Sequence, residues 1–324
     1  MKHLAVLLIC LLSQCILQAQ KGIIPQPQEI EFNGQDFLAY NCFIAYDDSS
    51  LFPEAEFLQS SIKRFFQKDI ETVLRPNYAA EKDPPFYIVL NTIQPDTLLP
   101  LGWYSLHVDK NRISVTATEK EGIFYGIQSL LQLGYTDNKK NLAFHGTSIP
   151  NDFPNMKWRG MHLDVSRHFF PKEFILKYID LLAMNKMNVF HWHLTDDQGW
   201  RIEIKKYPKL TSVGGWRKGS MLGHYNEQRY DTIRYGGFYT QDDIREVVAY
   251  AEKRHVTIVP EIEMPGHAMA ALSAYPQFSC TGGPFDVARG WGVFDDVFCP
   301  KEETFTFLQD ILDEVVTLFP GKYI

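Results

Sequence analysis

The sequence has no clustered run of Lys and Arg and no Asn in an Asn-x-Ser/Thr sequon. Beyond its first twenty residues it has no apolar stretch long enough to cross a bilayer. Its 32 Lys and Arg against 39 Asp and Glu leave a net charge of −7. Phosphate-driven binding of nucleic acid therefore has no electrostatic footing, and a neutral substrate suits this balance better. The missing sequons fit a bacterial exported protein better than a glycosylated one. Cysteine is scarce: Cys10 and Cys15 fall in the leader, leaving Cys42, Cys280 and Cys299. Of this odd set, Cys280 and Cys299 bracket one Gly-rich loop and are the candidates to pair, and Cys42 reads as a buried thiol.

What is present is an ordinary globular composition, 45% hydrophobic and 14% aromatic, which excludes a disordered tail, a collagen-like fibre or a coiled coil. A length of 324 residues suggests roughly two domains. Residues 1–20 differ from the rest. Lys2 and His3 precede the apolar run Leu4 to Leu12, and Gln18-Ala19-Gln20 offers a small-residue cleavage site. This reads as a secretory signal peptide, with the mature protein periplasmic, cell-surface or secreted. Leu12-Ser13-Gln14-Cys15 resembles a lipoprotein box, but Gln stands where a small residue is required, which argues against lipidation at Cys15.

From Gly22 to Asp152 the pattern mixes helix and strand. Phe57, Leu58, Ile62, Phe65 and Phe66 recur at helical spacing within Glu54 to Lys68. Phe86 to Leu90, Trp103 to Val108 and Arg112 to Thr116 read as strands, and Glu121 to Leu133 as a second helix. An α+β domain is expected over 22–152, with no catalytic constellation in it. Asn151-Asp152-Phe153-Pro154 is polar and Pro-broken, a fair boundary.

Over 153–324 the rhythm becomes strand, helix, strand, helix. Gly160 to Val165, Asn188 to Leu194 and His255 to Pro260 are the strands. The helices start at Pro171, at a Thr240/Asp243 cap and at Phe305. Successive βα units imply a parallel sheet with right-handed crossovers and with loops of chemical interest after the strands' C-terminal ends. Lys322-Tyr323-Ile324 has the look of a fourth strand's opening. Three such units and a stub do not close a barrel of about eight strands, so an incomplete (β/α)8 TIM barrel and a truncated chain are expected.

Four clusters lie on or after strand ends: Leu163 to His168, His191 to Trp200, Pro260 to His267, and the loop through Trp291. Each has an ordinary reading alone. An isolated Arg167 is most often a surface arginine, Asp196-Asp197 a turn or cap, and His267 a satisfied loop histidine. Trp192, Trp200, Trp216 and Trp291 are more often packing than sugar platforms. Glu261 and Glu263 alternate on one strand, where either can simply anchor a neighbour. Their joint placement at one end of successive strands is what tilts the balance toward a site.

Three ordered motifs make the pattern specific: Trp158 to His168, Met184 to Arg201 (with His-Trp-His-Leu-Thr-Asp-Asp-Gln-Gly-Trp), and Val259 to His267. Together they resemble glycoside hydrolase family 20, the β-N-acetylhexosaminidases, and the N-terminal region is similar to that family's N-terminal domain. The resemblance implies retaining hydrolysis of terminal β-linked GlcNAc or GalNAc, with the sugar's own 2-acetamido oxygen as nucleophile. It implies no cofactor and a glycan substrate. By motif position, Arg167 would bind hydroxyls of the terminal sugar, for which its fixed fork of donors suits it. Asp196 and His267 would form a carboxylate–histidine pair that orients and tunes a general-acid Glu. That Glu, with an adjacent Asp, follows the family's fourth strand, and the chain ends before both. Glu261 and Glu263 belong to a different strand and are not substitutes. Residues 1–324 alone are expected to show no hexosaminidase activity.

Two other classes compete. His191-x-His193 puts two imidazoles on one strand face, as in a metal-dependent TIM-barrel hydrolase, with Asp196 or His267 as further ligands. Against it, His191 and Trp192 have a role as barrel filling. The other class is a non-catalytic carbohydrate-binding remnant that keeps Arg167 and the loop tryptophans.

Overall fold

A computed structural model describes residues 22–40, 42–76, 87–94 and 98–324. The signal-peptide and Cys15 readings fall outside the described residues. The chain divides into two compact units, Met1–Lys157 and Trp158–Ile324.

In the first unit, seven strands among the described residues form one mixed sheet: β1 (Glu31–Phe32), β2 (Phe43–Tyr46), β3 (Glu71–Leu74), β4 (Tyr87–Thr92), β5 (Tyr104–Val108), β6 (Arg112–Ala117) and β7 (Thr147–Asp152). Their spatial order is β1-β7-β5-β6-β4-β2-β3. The β2, β3, β4 and β6 pairings are parallel, and β5–β6 is an antiparallel hairpin. Helices α1 (Phe52–Phe66) and α2 (Lys120–Leu133) pack on the sheet and on each other. Pro53 pre-sets the first turn of α1, and Gln67, left-handed at φ 57°, stops it. Gly126 lets α2 approach closely: a Cβ there would stand 2.4 Å from Val115 Cγ1.

The expected linker at Asn151-Asp152 is instead the end of β7. Asp152 is buried and accepts hydrogen bonds from Tyr104 Oη (2.5 Å) and the Gln28 N–H (3.1 Å), and Trp103 Nε1 donates to Asn151 Oδ1 at 2.7 Å. These polar side chains belong to the sheet, whose last strand ends at Asp152, a few residues before the first unit ends at Lys157.

In the second unit, β8 (Gly160–Asp164), β9 (Val189–His193) and β10 (Thr257–Glu261) form a parallel sheet in the order β8-β9-β10. Its longer helices are α3 (Lys172–Met184), α4 (Gln241–Glu252), α5 (Met269–Ala274) and α6 (Glu302–Leu318). The Thr240–Asp243 capping box opens α4, as its spacing predicts. Helix α6 starts ahead of the apolar pattern, because Glu302 and Glu303 in the first turn suit the positive end of the helix dipole. Phe307, Ile311, Val315 and Leu318 then bury one face, each worth roughly 1.5–3 kcal/mol over leaving it in water. This is an incomplete barrel of βα units.

Two expectations are corrected. Lys322–Ile324 forms no strand; Tyr323 packs edge-on against Trp158 with ring centroids 5.7 Å apart. His191 and Trp192, both read as barrel filling, lie on opposite faces, because strand side chains alternate. Trp192 is fully buried among Phe190, Tyr239 and Phe319, whereas the His191 side chain is 43% exposed.

Candidate active site

The in-register strands set the site's geometry. His162 pairs with His191 and Asp164 with His193 across β8–β9, and His193 pairs with Glu261 across β9–β10. These residues share one face, while Phe190, Trp192 and Ile258 pack on the other. The polar face and the loops after it carry every candidate site residue.

At the end of β8, Asp164 Oδ1 accepts the N–H groups of Ser166 and Arg167, both at 2.9 Å. This side-chain turn fixes the Arg167 backbone. Burial works to raise the Asp164 pKa, but the hydrogen bond from the Arg167 N–H, the nearby charges of His193 and Arg167 and the Arg167 side-chain bond hold it below its ordinary value. Each nitrogen of the Arg167 fork has one acid or amide partner: Nη1 reaches Asp164 Oδ2 (2.9 Å), Nε donates to Gln198 Oε1 (2.9 Å), and Nη2 lies 2.6 Å from Asp196 Oδ2, which leaves two N–H groups over.

After β9 the chain turns sharply, pairing Thr195 with Trp200 and Asp196 with Gly199. Asp196, Asp197 and Gln198 are all buried in this turn. Besides Arg167, Asp196 has His193 Nε2 at 3.1 Å and His267 Nδ1 at 3.3 Å. Burial works against a charged His193, but the bond to Asp196 and the nearby charges of Glu261, Asp164 and Asp196 raise its pKa.

His267 comes from the loop after β10. Its closest acceptor is Asp197 Oδ2 at 2.9 Å, and Asp197 Oδ1 also accepts the Met269 N–H. The bond to Asp197 raises the His267 pKa, against burial and with help from the Asp196, Asp197 and Glu263 charges. Burial also raises the Asp197 pKa, only partly offset by His267 and the Met269 N–H. His267 has φ of 49°, a left-handed conformation that a non-glycine residue holds only when its surroundings dictate it.

The structure thus brings Arg167, Asp196 and His267 together around one buried carboxylate pair. Sequence reasoning missed Asp197 as the nearer partner of His267, and it missed the scaffold beneath. Arg201 is fully buried and donates to the carbonyls of Val165, Ser166, Gly215 and Gly237. Burial, with Arg217 nearby, pushes its pKa down to about 10. Arg217 stacks 4.6 Å from the Tyr235 ring and donates to the Arg167 carbonyl. Gln198 joins Arg167 to the Gly290 carbonyl, beside Trp291, which is 61% exposed. The available signal was the unbroken run Asp196 to Arg201, in which Gly199 is required because a Cβ there would meet the Arg201 guanidinium at 2.1 Å. Trp200 is buried with Nε1 donating to the Ile202 carbonyl, and Arg234 covers Trp216, so neither is a free platform.

Glu261 and Glu263 lie at the edge of the same face. Burial, together with a hydrogen bond to Glu261 and its charge, raises the Glu263 pKa. The Glu263 N–H donates to Thr195 Oγ1 at 2.8 Å. Asp313-Glu314 supplies no second acid here: it sits on α6, where Glu314 accepts the N–H groups of Lys205 and Lys206. His191 and His193 do not converge on one ion. His193 is buried against Asp196, while His191 Nε2 lies 2.6 Å from Glu261 Oε2.

A parallel βα sheet with its polar groups gathered at the strands' carboxyl ends defines a (β/α)-barrel enzyme domain. The profile "Glycosyl hydrolase family 20, catalytic domain" matches residues 156–324, and "Glycosyl hydrolase family 20, domain 2" matches residues 20–151. The chain belongs to glycosyl hydrolase family 20. It is 48% identical over 236 residues to a beta-hexosaminidase of Porphyromonas gingivalis, covering 70% of this chain and 29% of that protein. It is 37% identical over 311 residues to a beta-hexosaminidase of Vibrio furnissii, covering 94% of this chain and 48% of that one. The crystal structure of a Vibrio harveyi exo beta-N-acetylglucosaminidase in complex with N-acetylglucosamine aligns with a TM-score of 0.78 at 32% identity, covering 94% of this chain and 46% of that one. The chain therefore spans half or less of the length of these relatives. Family membership does not favour the metal-dependent hydrolase reading.

Proposed function

We propose that this chain is part of an exported enzyme that removes terminal β-linked N-acetylhexosamine from glycans. The observation that carries the reading is the convergence of Arg167, Asp196, Asp197 and His267 at the carboxyl ends of three parallel strands. The Vibrio harveyi relative, solved with N-acetylglucosamine, supports the sugar class.

In this reading Arg167, held by Asp164, Gln198 and Asp196, presents its outward N–H edge to the hydroxyls of the terminal sugar. The acetamido oxygen attacks the anomeric carbon, the glycosidic bond breaks, and the leaving oxygen takes a proton from a general-acid Glu supplied outside these 324 residues. Water then opens the oxazolinium ring with retention. His267, kept protonated-prone by Asp197 and Asp196, tunes and orients that Glu. Export is supported by the leader-like residues 1–20 and by the disulfide joining Cys280 and Cys299, which needs an oxidising compartment.

The test is chromophore release from an aryl β-N-acetylglucosaminide. The longer protein carrying the family's Asp-Glu pair should turn over, and its His267→Ala and Asp197→Asn variants should lose about 10²–10⁴-fold in kcat, the range of general-acid assistance. Residues 1–324 alone should release none. Undiminished turnover in both variants would remove the assignment. Amino-terminal sequencing of the exported protein should find a start near residue 21.

A further inference from the structure

The candidate site leaves one cluster unused, on the same sheet face but one layer deeper. His162 and His191 are register partners on adjacent strands, and Glu261 reaches back toward both from the third. Glu261 Oε2 lies 2.6 Å from His191 Nε2 and 3.7 Å from His162 Nε2. That oxygen is buried and accepts no hydrogen bond of proper geometry. The two imidazoles stand edge-to-face with centroids 4.7 Å apart, and one ligand atom from each of the three residues falls within 4.8 Å of the others.

We propose that His162, His191 and Glu261 form a binding site for a single divalent transition-metal ion of the zinc class. Two neutral imidazoles and one carboxylate are the donor set that such borderline ions prefer over magnesium or calcium. Ligand atoms about 2.0–2.2 Å from a tetrahedral ion stand roughly 3.3 Å apart. The two Glu261 distances bracket that spacing and the third separation is at most 4.8 Å, so ligation needs side-chain shifts of up to about 1.5 Å. An ion would also engage the Glu261 oxygen that now faces His191 Nε2 at 2.6 Å without hydrogen-bond geometry. The three ligands come from hydrogen-bonded strands rather than loops, so the site is pre-organised. It differs from the His191/His193 pairing suggested by the sequence, because His193 is already committed to Asp196.

Calorimetric titration of the full chain, purified without a polyhistidine tag, with zinc chloride tests this. One equivalent should bind, and the thermal midpoint should rise with zinc concentration, as for any ligand selective for the folded state. His162→Ala, His191→Ala and Glu261→Gln should each weaken binding on the order of 100-fold, since even outer-shell partners are worth 10- to 100-fold. His224→Ala, an exposed histidine elsewhere, should leave it unchanged. Circular dichroism without zinc checks each variant's fold. Should His191→Ala fail to fold, His162→Ala and Glu261→Gln still decide the matter. Absence of saturable one-to-one binding would overturn the proposal. So would retention of full affinity in those two variants, or loss of binding only in His267→Ala.

Discussion

His267 Nδ1 lies 2.9 Å from Asp197 Oδ2 and 3.3 Å from Asp196 Oδ1, so one imidazole serves two adjacent buried carboxylates. Two negative charges beside one ring favour its protonated form, and Arg167 on the far side of Asp196 keeps that carboxylate from being stranded without a cation. The arrangement is a charge chain, Arg167–Asp196–His267–Asp197, rather than an isolated dyad.

The first prediction concerns that chain. The His267 ring should titrate above the ordinary 6.5, because its bond to Asp197 outweighs burial. Removing the bond with Asp197→Asn should lower the midpoint. A folded-state value above the unfolded one means the pairing stabilises fully below pH 6.5 and fades as pH rises through the folded value. Burial also raises the Asp197 value, and that contribution likewise falls with rising pH, beginning above 3.8. Proton NMR of the ring through pH 5–9 reads this directly, and a wild-type midpoint at or below 6.5 would refute it.

Arg201 should matter more for folding than for chemistry. Its guanidinium donates to the carbonyls of Val165, Ser166, Gln198, Gly215 and Gly237 and makes no contact with the Arg167, Asp196 or His267 side chain. Arg201→Met should therefore cost at least about 3 kcal/mol, through several buried carbonyls left without donors. Gly199→Ala should be destabilising for the matching reason, since its methyl group would occupy the guanidinium's place. Urea unfolding monitored by tryptophan fluorescence gives both values, and a change under about 0.5 kcal/mol, the ordinary surface range, would contradict the role assigned to Arg201.

The cysteines separate by environment. Cys280 and Cys299 are bonded across a sequence separation of 19, and Cys42 is a buried thiol whose pKa burial pushes up to about 11. Paired Cys280→Ser and Cys299→Ser substitutions should lower stability by about 3 kcal/mol, the loop-closure expectation for this length. In the native chain Cys42 should resist a thiol reagent at pH 8 and react only on unfolding. Rapid labelling of Cys42 in the folded state would show that it is not enclosed.

Much of the architecture was legible because local rules governed it. The parallel strands Gly160–Asp164 and Val189–His193 lie within the segments marked out by their apolar runs, and Thr257–Glu261 runs one residue past its own. The capping box at Thr240 and the pairing of Cys280 with Cys299 followed from spacing. The place of Asn151 and Asp152 in a strand did not, because a polar pair reads as linker until its long-range partners Tyr104 and Trp103 are in place. Likewise Trp192 and His191 are neighbours in the chain, yet the pleat sends them to opposite layers.

Order along the chain was enough to name the family, to bring out Arg167, Asp196 and His267, and to locate them after strand ends, since motif spacing and hydrophobic period are one-dimensional properties. Which oxygen His267 takes, which carbonyls Arg201 gathers, and that His191 joins His162 and Glu261 rather than His193 are matters of a few ångströms between residues up to 99 positions apart. Such distances arise only when strands settle in register and loops fold over them, because hydrogen bonds and desolvation act through space and not along the backbone.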